Sequence, residues 1–170
     1  MKKSFHPMLM FAALLATTFL TTGCPVGISY PFCEESQMTK VDKNLLGTWN
    51  ALVDSAEVVK VKISKKNDIT YQIEVLEKGE NYMLDAVTFN SWTTQLNGES
   101  FIFSQATEGD DQSYYLYHFK LDGKQLFIED VSLLEGGIDA VTSAETFQKE
   151  VVASMKKPDC FSGRFAYVKQ

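Results

Sequence analysis

Apolar and polar side chains alternate with a period of two residues along most of the chain that follows Leu45. The alternation is clearest in residues 59–63, 69–75 and 115–121. Such a pattern is typical of β-strands that bury one face and expose the other. Weaker patterns predict further strands at residues 82–89, 91–96, 101–103, 126–128 and 161–168. The sequence therefore predicts a domain built mainly from strands.

Short polar segments with turn-forming residues separate these strands. Asn97-Gly98 predicts a two-residue type I′ hairpin, because both central residues of that turn need positive φ. Asp122-Gly123 predicts a second tight hairpin. Polar turns or loops are also predicted at residues 65–68, 78–81 and 108–111. The strands should therefore pair with their sequence neighbours in an antiparallel sheet.

The period changes near the C-terminal end of the chain. Thr142 and Glu145 form a capping-box pattern, in which each side chain satisfies one free backbone amide at the start of a helix. Apolar residues then fall on one helical face, at Phe147, Val151, Val152 and Met155. Two lysines suit the negative end of the helix dipole, and Pro158 ends the helix.

About eight short antiparallel strands, one helix and one closing strand suggest an up-and-down barrel or a sandwich. We favour an eight-stranded closed barrel, because closure leaves no edge strand open to aggregation. In this arrangement the helix lies on the outside of the barrel or plugs one end. The 170 residues leave room for one such domain, which we place at residues 44–170.

Residues 1–23 form a segment of a different kind. Two lysines precede an apolar run at residues 8–20, which is too short to span a bilayer as a mature helix. A small residue, Gly23, then precedes Cys24. This order resembles the lipobox of bacterial lipoproteins, in which the cysteine is lipidated and becomes the mature N-terminus. The resemblance implies a signal peptide at 1–23 and a lipid anchor on Cys24; the alternative is an ordinary secretory signal.

The same resemblance implies an address in the bacterial cell envelope. We expect attachment to the outer membrane through the lipid on Cys24, with the periplasmic and surface faces both open. Residues 24–43 contain Pro25, Gly27 and Pro31 and show little periodicity. They predict a tether and N-terminal arm that holds the barrel off the membrane.

The charge of the chain argues against nucleic acid as a partner. Removal of residues 1–23, which contain two lysines and no acid, changes the formal charge from −6 to −8. An acidic surface repels phosphate backbones. The partners that remain are the membrane, a small ligand or another envelope protein.

Three cysteines fit an envelope protein. With Cys24 lipidated, Cys33 and Cys160 remain, and the oxidising envelope would allow them to form a disulfide. In the chain-entropy model such a bridge stabilises the fold by roughly 4–5 kcal/mol, an upper estimate. The alternative is two unpaired thiols.

The strands carry a second resemblance. Gly47-Thr48-Trp49 matches the Gly-x-Trp on the first strand of lipocalins, and a helix before the last strand matches the same group. In that family an arginine from the last strand packs across the tryptophan. The chain has one arginine, Arg164 in the last predicted strand, against fifteen lysines, and a guanidinium stacks on an indole better than an ammonium does.

From about Leu45 to Val168 the chain thus resembles a lipocalin-like member of the calycin group. The resemblance implies a lipocalin-like barrel in which Gly47, Trp49 and Arg164 close one end. The alternatives are an ordinary core tryptophan and a surface arginine.

Candidate catalytic chemistry is sparse. His118 is the one histidine beyond residue 23, and the alternation places it on the face opposite the aromatic row. One histidine without a Gly-x-Ser-x-Gly motif gives no support for a nucleophilic triad, and the cysteine and histidine count is too low for a typical metal site. We therefore predict no enzymatic activity, no metal and no cofactor. Two buried acids with strongly shifted pKa values in one cleft would revive an enzymatic interpretation.

The feature that points to ligand binding is an aromatic and aliphatic face, composed of Tyr71, Ile73, Phe101, Phe103, Tyr115, Tyr117 and Phe119. Facing inward, these side chains would either fill an eight-stranded barrel or line a pocket. Tyrosine hydroxyls in an apolar cavity would orient a ligand. Our first hypothesis is a lipid-anchored, non-enzymatic protein that binds a small apolar ligand. The alternative is a filled barrel that acts as a protein-interaction or enzyme-inhibitor module.

Overall fold

Eight antiparallel strands follow one another in order and close into an up-and-down barrel, as the sequence predicts. The computed structural model describes residues 27–53, 56–80, 82, 84–110 and 112–170; the predicted signal peptide and Cys24 lie outside them. The strands are β1 (Gly47–Ala51), β2 (Val58–Lys65), β3 (Tyr71–Lys78), β4 (Thr88–Leu96), β5 (Glu99–Ala106), β6 (Tyr114–Asp122), β7 (Gln125–Val131) and β8 (Phe161–Lys169). One α-helix, α1 (Ala144–Ser154), precedes β8.

The two ends of the barrel differ. At the end that we call closed, hairpin loops of two to five residues join β2 to β3, β4 to β5 and β6 to β7, and the chain enters β1. At the other end, which we call open, lie the longer connections 52–57, 79–87 and 107–113 and the segment 132–160. The barrel closes where β1 pairs with β8, with Trp49 opposite Lys169.

Most of the predicted turns and strands are confirmed, with one exception. Asn97 and Gly98 have φ of 53° and 86° and form the predicted hairpin, and Gly123 has φ of 58° in the second one. The predicted strand at 82–89 is wrong, because only its last two residues belong to β4. Within this segment the Tyr82 hydroxyl donates to the Ala86 carbonyl oxygen at 2.6 Å, which closes a local loop.

Helix α1 begins one residue later than the capping-box pattern predicts. Ser143, not Thr142, is the N-cap, and its Oγ accepts from the Thr146 backbone amide at 3.2 Å. Thr146 Oγ1 accepts in return from the Ser143 backbone amide at 2.9 Å. Threonine at the third helical position thus replaces the glutamate of the expected box.

Buried side chains form two clusters, one on each side of the barrel wall. The inner cluster contains Leu45, Trp49, Val61, Ile63, Tyr71, Leu126 and Tyr167. The outer cluster contains Ile28, Phe32, Cys33, Phe101, Phe103, Val141, Phe147 and Val151. Helix α1 therefore covers the outside of the barrel and does not plug an end.

From Gly27 onward the segment predicted as tether and arm is packed on the barrel. Ile28 pairs with Tyr114 at the start of β6, through backbone hydrogen bonds of 2.9 and 2.8 Å. The Phe32 ring lies between the wall and the helix, with ring centres 5.2 Å from Phe101 and 5.0 Å from Phe147. Further along, the Thr39 amide donates to the Thr93 carbonyl oxygen at 2.7 Å. The arm thus runs down the outer wall from the open end to the closed end.

The predicted disulfide between Cys33 and Cys160 is wrong, since both residues are buried free thiols. Cys33 lies beside Thr94 on β4, whereas Cys160 Sγ donates to the Ser132 carbonyl oxygen beyond β7 at 3.7 Å. Strands β5 and β6 stand between β4 and β7 in the closed sheet. The wall therefore holds the two sulfurs apart.

The closed end uses a lysine where the resemblance implied an arginine. Trp49 is fully buried, and its indole Nε1 donates to the Leu45 carbonyl oxygen at 2.9 Å. Lys169 Nζ lies 5.3 Å from the Trp49 ring centre and donates to the Asn44 carbonyl oxygen at 2.8 Å. A Cβ at Gly47, where φ is +136°, would lie 2.8 Å from Lys169 Cε, so the glycine leaves room for this lysine.

The predicted role of Arg164 is therefore wrong. Alternation along β8 places Tyr167 and Lys169 on the inner face and Arg164 on the outer face. The exposed guanidinium lies over the Phe127 ring, 4.2 Å from its centre. Among the described residues, no helix has the length and apolar character needed to cross a membrane.

Candidate functional site

The interior of the barrel contains a cavity of about 200 Å³. Its walls are mainly aliphatic and aromatic, and they extend from Leu45 near the closed end to Leu84 in a connection at the open end. Polar atoms come from Glu57, Ser104 and Asp130 and from the tyrosines of the wall. An apolar, concave site with a few polar groups is the usual form of a small-molecule site.

Four of the seven predicted ligand-binding residues line this cavity: Ile73, Tyr115, Tyr117 and Phe119. Tyr71 also faces inward but lies in the inner cluster toward the closed end, where its hydroxyl accepts from the Asp42 amide at 2.7 Å. Tyr71 therefore stabilises the closed end of the barrel.

The predicted placement of Phe101 and Phe103 at the ligand site is wrong. In β5 the alternation puts Ile102 and Ser104 at the cavity and the two phenylalanines on the outer side. Their apolar surface is buried all the same, because the arm and α1 cover the outside of this strand. An apolar row therefore does not identify the inner face where a strand is buried on both sides.

Tyrosines from several elements line the cavity, three of them besides Tyr115. Tyr117 comes from the middle of the wall, Tyr167 from β8 and Tyr82 from the connection at the open end. Burial, together with the nearby Glu57 carboxylate, raises the pKa of Tyr82 and of Tyr167 to about 12. Burial also raises the pKa of Tyr117. All three hydroxyls are thus neutral hydrogen-bonding groups.

Two acids at the cavity were missed by sequence reasoning. Burial raises the pKa of Asp130 to about 6, with a further contribution from Glu57, and burial raises the pKa of Glu57 itself. Among the interactions of the described residues, neither carboxylate has an ion-pair partner. Asp130 follows Leu126 and Ile128 on the inner face of β7, so the alternation contained a signal for it. Glu57 lies in a connection and gave none.

A close backbone approach fixes Glu57. The Gly79 amide donates to the Glu57 carbonyl oxygen at 2.5 Å. A Cβ at Gly79 would lie 1.9 Å from the carbonyl oxygen of the buried Ala56, so only glycine fits this position. The end of β3 thereby holds the residues that enter β2, and with them Glu57, against the cavity.

A β-bulge fixes the surroundings of Asp130. Asp130 pairs with Ser162, while Ile128 pairs with Phe165, so β8 contains one extra residue at this point. Gly163 has φ of +60° there, as expected for a bulge whose first residue is a left-handed glycine. A Cβ on this glycine would lie 2.7 Å from Asp130 Oδ2. The bulge also turns Phe161 to the outside of the barrel.

His118 lies on the outer face of β6, as the alternation predicts, but it is buried. Its Nδ1 is 2.7 Å from Glu129 Oε2 and its Nε2 is 2.9 Å from Glu99 Oε2. The Phe161 ring stacks on the imidazole with 4.2 Å between ring centres. This cluster joins β5, β6, β7 and β8 on the side of the wall away from the cavity.

The chain matches no protein-family model, no curated protein and no solved structure. The residues of the cavity and their geometry are therefore the basis on which we propose a function.

Proposed function

We propose that the protein is a lipid-anchored, non-enzymatic binding protein of the bacterial cell envelope that holds a small apolar ligand inside its barrel. The observation that supports this function is the cavity of about 200 Å³ with apolar walls. A filled barrel, which would favour a protein-interaction or inhibitor function, lacks such a space.

The dimensions of the cavity suggest the size of the ligand. A volume of about 200 Å³ lies between the ~150 Å³ cavity that takes up benzene and the ~300 Å³ at which drug-sized sites begin. A compact apolar molecule fits inside, as does one end of a single acyl chain whose remainder passes through the open end.

The acids suggest the chemistry at the polar end of the ligand. Burial disfavours the charged forms of Glu57 and Asp130, and a bound hydrogen-bond donor or cation would offset that effect. We therefore propose an apolar ligand with an amine or hydroxyl group near the two carboxyls.

We also propose the lipid anchor and a lipocalin-like character for the barrel. The order of residues before Cys24 supports the anchor. Trp49, with a cation from the last strand over its ring, supports a likeness to lipocalins, although that cation is Lys169. We propose the outer membrane as the address.

Acid catalysis on a bound ligand is the second candidate function. Two partly buried acids with raised pKa values in one cleft are the observation that favours it. A carboxyl group with a pKa of about 6 is suited to donate a proton near neutral pH. The described residues of the cavity lining include no histidine, lysine or cysteine, so a catalytic step there would rely on the two carboxyls and on the hydroxyls of Ser104 and the tyrosines.

A pair of tryptophan substitutions tests the binding function. Val75 lines the cavity, whereas its neighbour Leu76 points outward and is 45% exposed. We expect wild-type protein to bind the neutral fluorophore N-phenyl-1-naphthylamine at one-to-one. Val75→Trp should fill the cavity and reduce this binding at least tenfold, and Leu76→Trp should leave it unchanged.

Equal binding by the two variants, or none by the wild type, would contradict a ligand site in the barrel. Native mass spectrometry of the protein from its own envelope separates the two candidate functions. A co-purified molecule that keeps its mass on incubation supports binding, and conversion to a product supports catalysis.

A further inference from the structure

The chain enters the folded body at the open end of the barrel. Ile28 pairs with Tyr114, the first residue of β6. Strand β7 pairs with β6 only from Tyr117 onward, so Ile28 occupies the position next to Tyr114 that β7 does not reach. Gly27 lies against the 107–113 connection so closely that a Cβ would be 2.5 Å from Ser113 Cβ. Both contacts belong to the end at which Tyr82 and Glu57 line the cavity.

Covalent geometry limits how far Cys24 can lie from this point. Two residues, Pro25 and Val26, separate Cys24 from Gly27, and the three Cα-to-Cα steps between them span at most about 11 Å. The closed end lies a strand length away, roughly 20 Å for tilted strands of this size. A lipid on Cys24 can therefore reach a membrane beside the open end but not one beside the closed end.

Exposed apolar side chains occur in the connections that leave the strands at the open end. Leu52 and Val53 follow β1 and are 52% and 48% exposed. Leu134 and Ile138 lie in the segment after β7 and are 38% and 44% exposed. Side chains of this kind suit contact with the interface of a bilayer.

The charge of the connections at the open end indicates which kind of lipid headgroup this end can approach. The connections there carry Glu80, Asp85, Glu108, Asp110, Glu135 and Asp139, against few lysines. Acidic groups are repelled by anionic headgroups. The arrangement therefore fits a zwitterionic surface.

We propose that the open end of the barrel faces a zwitterionic lipid surface, so that an apolar ligand passes between the bilayer and the cavity without crossing water. This orientation rests on the lipid anchor of the proposed function. It differs from the arrangement that the sequence suggested, in which a tether holds the barrel away from the membrane.

Fluorescence quenching on the lipidated full-length protein tests the orientation. Val53→Cys at the open end and Lys124→Cys in the closed-end turn of β6 and β7 each receive a nitrobenzoxadiazole label. The native thiols Cys33 and Cys160 are buried, and the unsubstituted protein, treated with the same reagent, corrects for their reaction. The protein is placed in phosphatidylcholine vesicles that contain lipids with a nitroxide on the headgroup.

We expect the nitroxide to quench the label of Val53→Cys at least twofold more than the label of Lys124→Cys. Equal quenching, or stronger quenching at Lys124→Cys, would overturn the orientation. Replacement of phosphatidylcholine by phosphatidylglycerol should weaken quenching of the label of Val53→Cys, and an increase would refute the choice of a zwitterionic surface.

Mass spectrometry of the same preparation separates this inference from the proposed function. An unmodified Cys24 would refute the anchor, and the orientation would fall with it. A lipidated Cys24 with the wrong quenching pattern would refute the orientation alone.

Discussion

Asp130 is a residue whose position lowers the stability of the fold. Its pKa of about 6 lies above the ordinary value of 3.8, because burial and Glu57 disfavour the carboxylate. A carboxyl with a raised folded-state pKa destabilises the folded protein when it is ionised, so the penalty is fully present above pH 6. The penalty decreases as the pH falls from 6 and is absent below 3.8.

Asp130→Asn should therefore stabilise the protein at neutral pH. We expect a gain of about 1 kcal/mol at pH 7.5, less than the pKa change alone implies, because the group is partly exposed to solvent. The gain should disappear by pH 3.8. Urea unfolding at several pH values measures it, with the exposed Asp139→Asn as control. A gain that does not depend on pH would show that ionisation of Asp130 is not its cause.

Single residues were the hardest part of the site to predict. Asp130 could have been found, since it interrupts the apolar inner face of β7. The exchange of roles between Arg164 and Lys169 depends on which face of β8 each residue occupies at the closed end. The composition suggested Arg164 because it is the one arginine of the chain. The face of β8 on which each residue lies depends instead on the alternation along the strand, and the bulge at Gly163 shifts that alternation relative to the start of β8.

Among the elements, the segment after β7 depends on one carboxylate of α1. Glu150 is 6% exposed and accepts from the backbone amides of Glu135, Gly136 and Gly137 at 2.9 to 3.3 Å. Burial tends to raise the pKa of Glu150, but these donors outweigh it and leave the pKa below its ordinary value. The carboxylate thereby fixes residues 135–137, which lie just before a short 3-10 helix at Ile138–Ala140.

Glu150→Gln should destabilise the protein by about 1–3 kcal/mol at pH 7, because an amide replaces one of the two accepting oxygens by a donor. A lowered folded-state pKa stabilises the fold above the ordinary value of 4.5, and this contribution is lost as the pH falls through the folded-state pKa. The difference between wild type and variant should therefore shrink below pH 4.5.

Thermal unfolding across this pH range measures the effect of Glu150→Gln. Glu145→Gln is the matched control, since Glu145 lies on the same helix but is exposed and forms its ion pair with the exposed Lys149. We expect little change from this control at any pH. A similar loss in the two variants would argue that helix propensity, and not the capped segment, explains the result.

The sequence predicted elements well where the signal was local. Period-two alternation, Asn97-Gly98 and the apolar face of α1 depend on neighbouring residues, and the structure confirms the strands, the hairpin and the helix that they predict. The side of the wall on which Phe101 and Phe103 lie depends on the distant arm and helix. No pattern within β5 contains that information.

At the scale of the whole molecule, the cavity and the outer cluster have a common origin. Strands β4 and β5 place small polar residues inside, where Ser91 Oγ and Ser104 Oγ hydrogen-bond at 2.7 Å. The same strands place Phe101 and Phe103 outside, under the arm and α1. The large side chains that would fill the barrel are thus used to bind the arm, which leaves space inside.

The closed barrel wall also keeps the Cys33 and Cys160 thiols from forming a disulfide. Two strands separate the neighbourhoods of Cys33 and Cys160, and burial raises the pKa of each thiol, which slows its oxidation. The protein purified without reductant should have the mass of the dithiol form, and its melting temperature should not change when dithiothreitol is added. Denatured protein should react with two equivalents of a thiol reagent in addition to any reaction at Cys24.

Cys33→Ala and Cys160→Ala should each lower stability by at most about 1–2 kcal/mol, through the loss of packing and not of a cross-link. A mass two daltons lower, together with a melting temperature that falls on reduction, would require the arm to leave the wall. In that case the arm would not be fixed at the open end through Ile28 and Tyr114, the contact on which the membrane orientation depends.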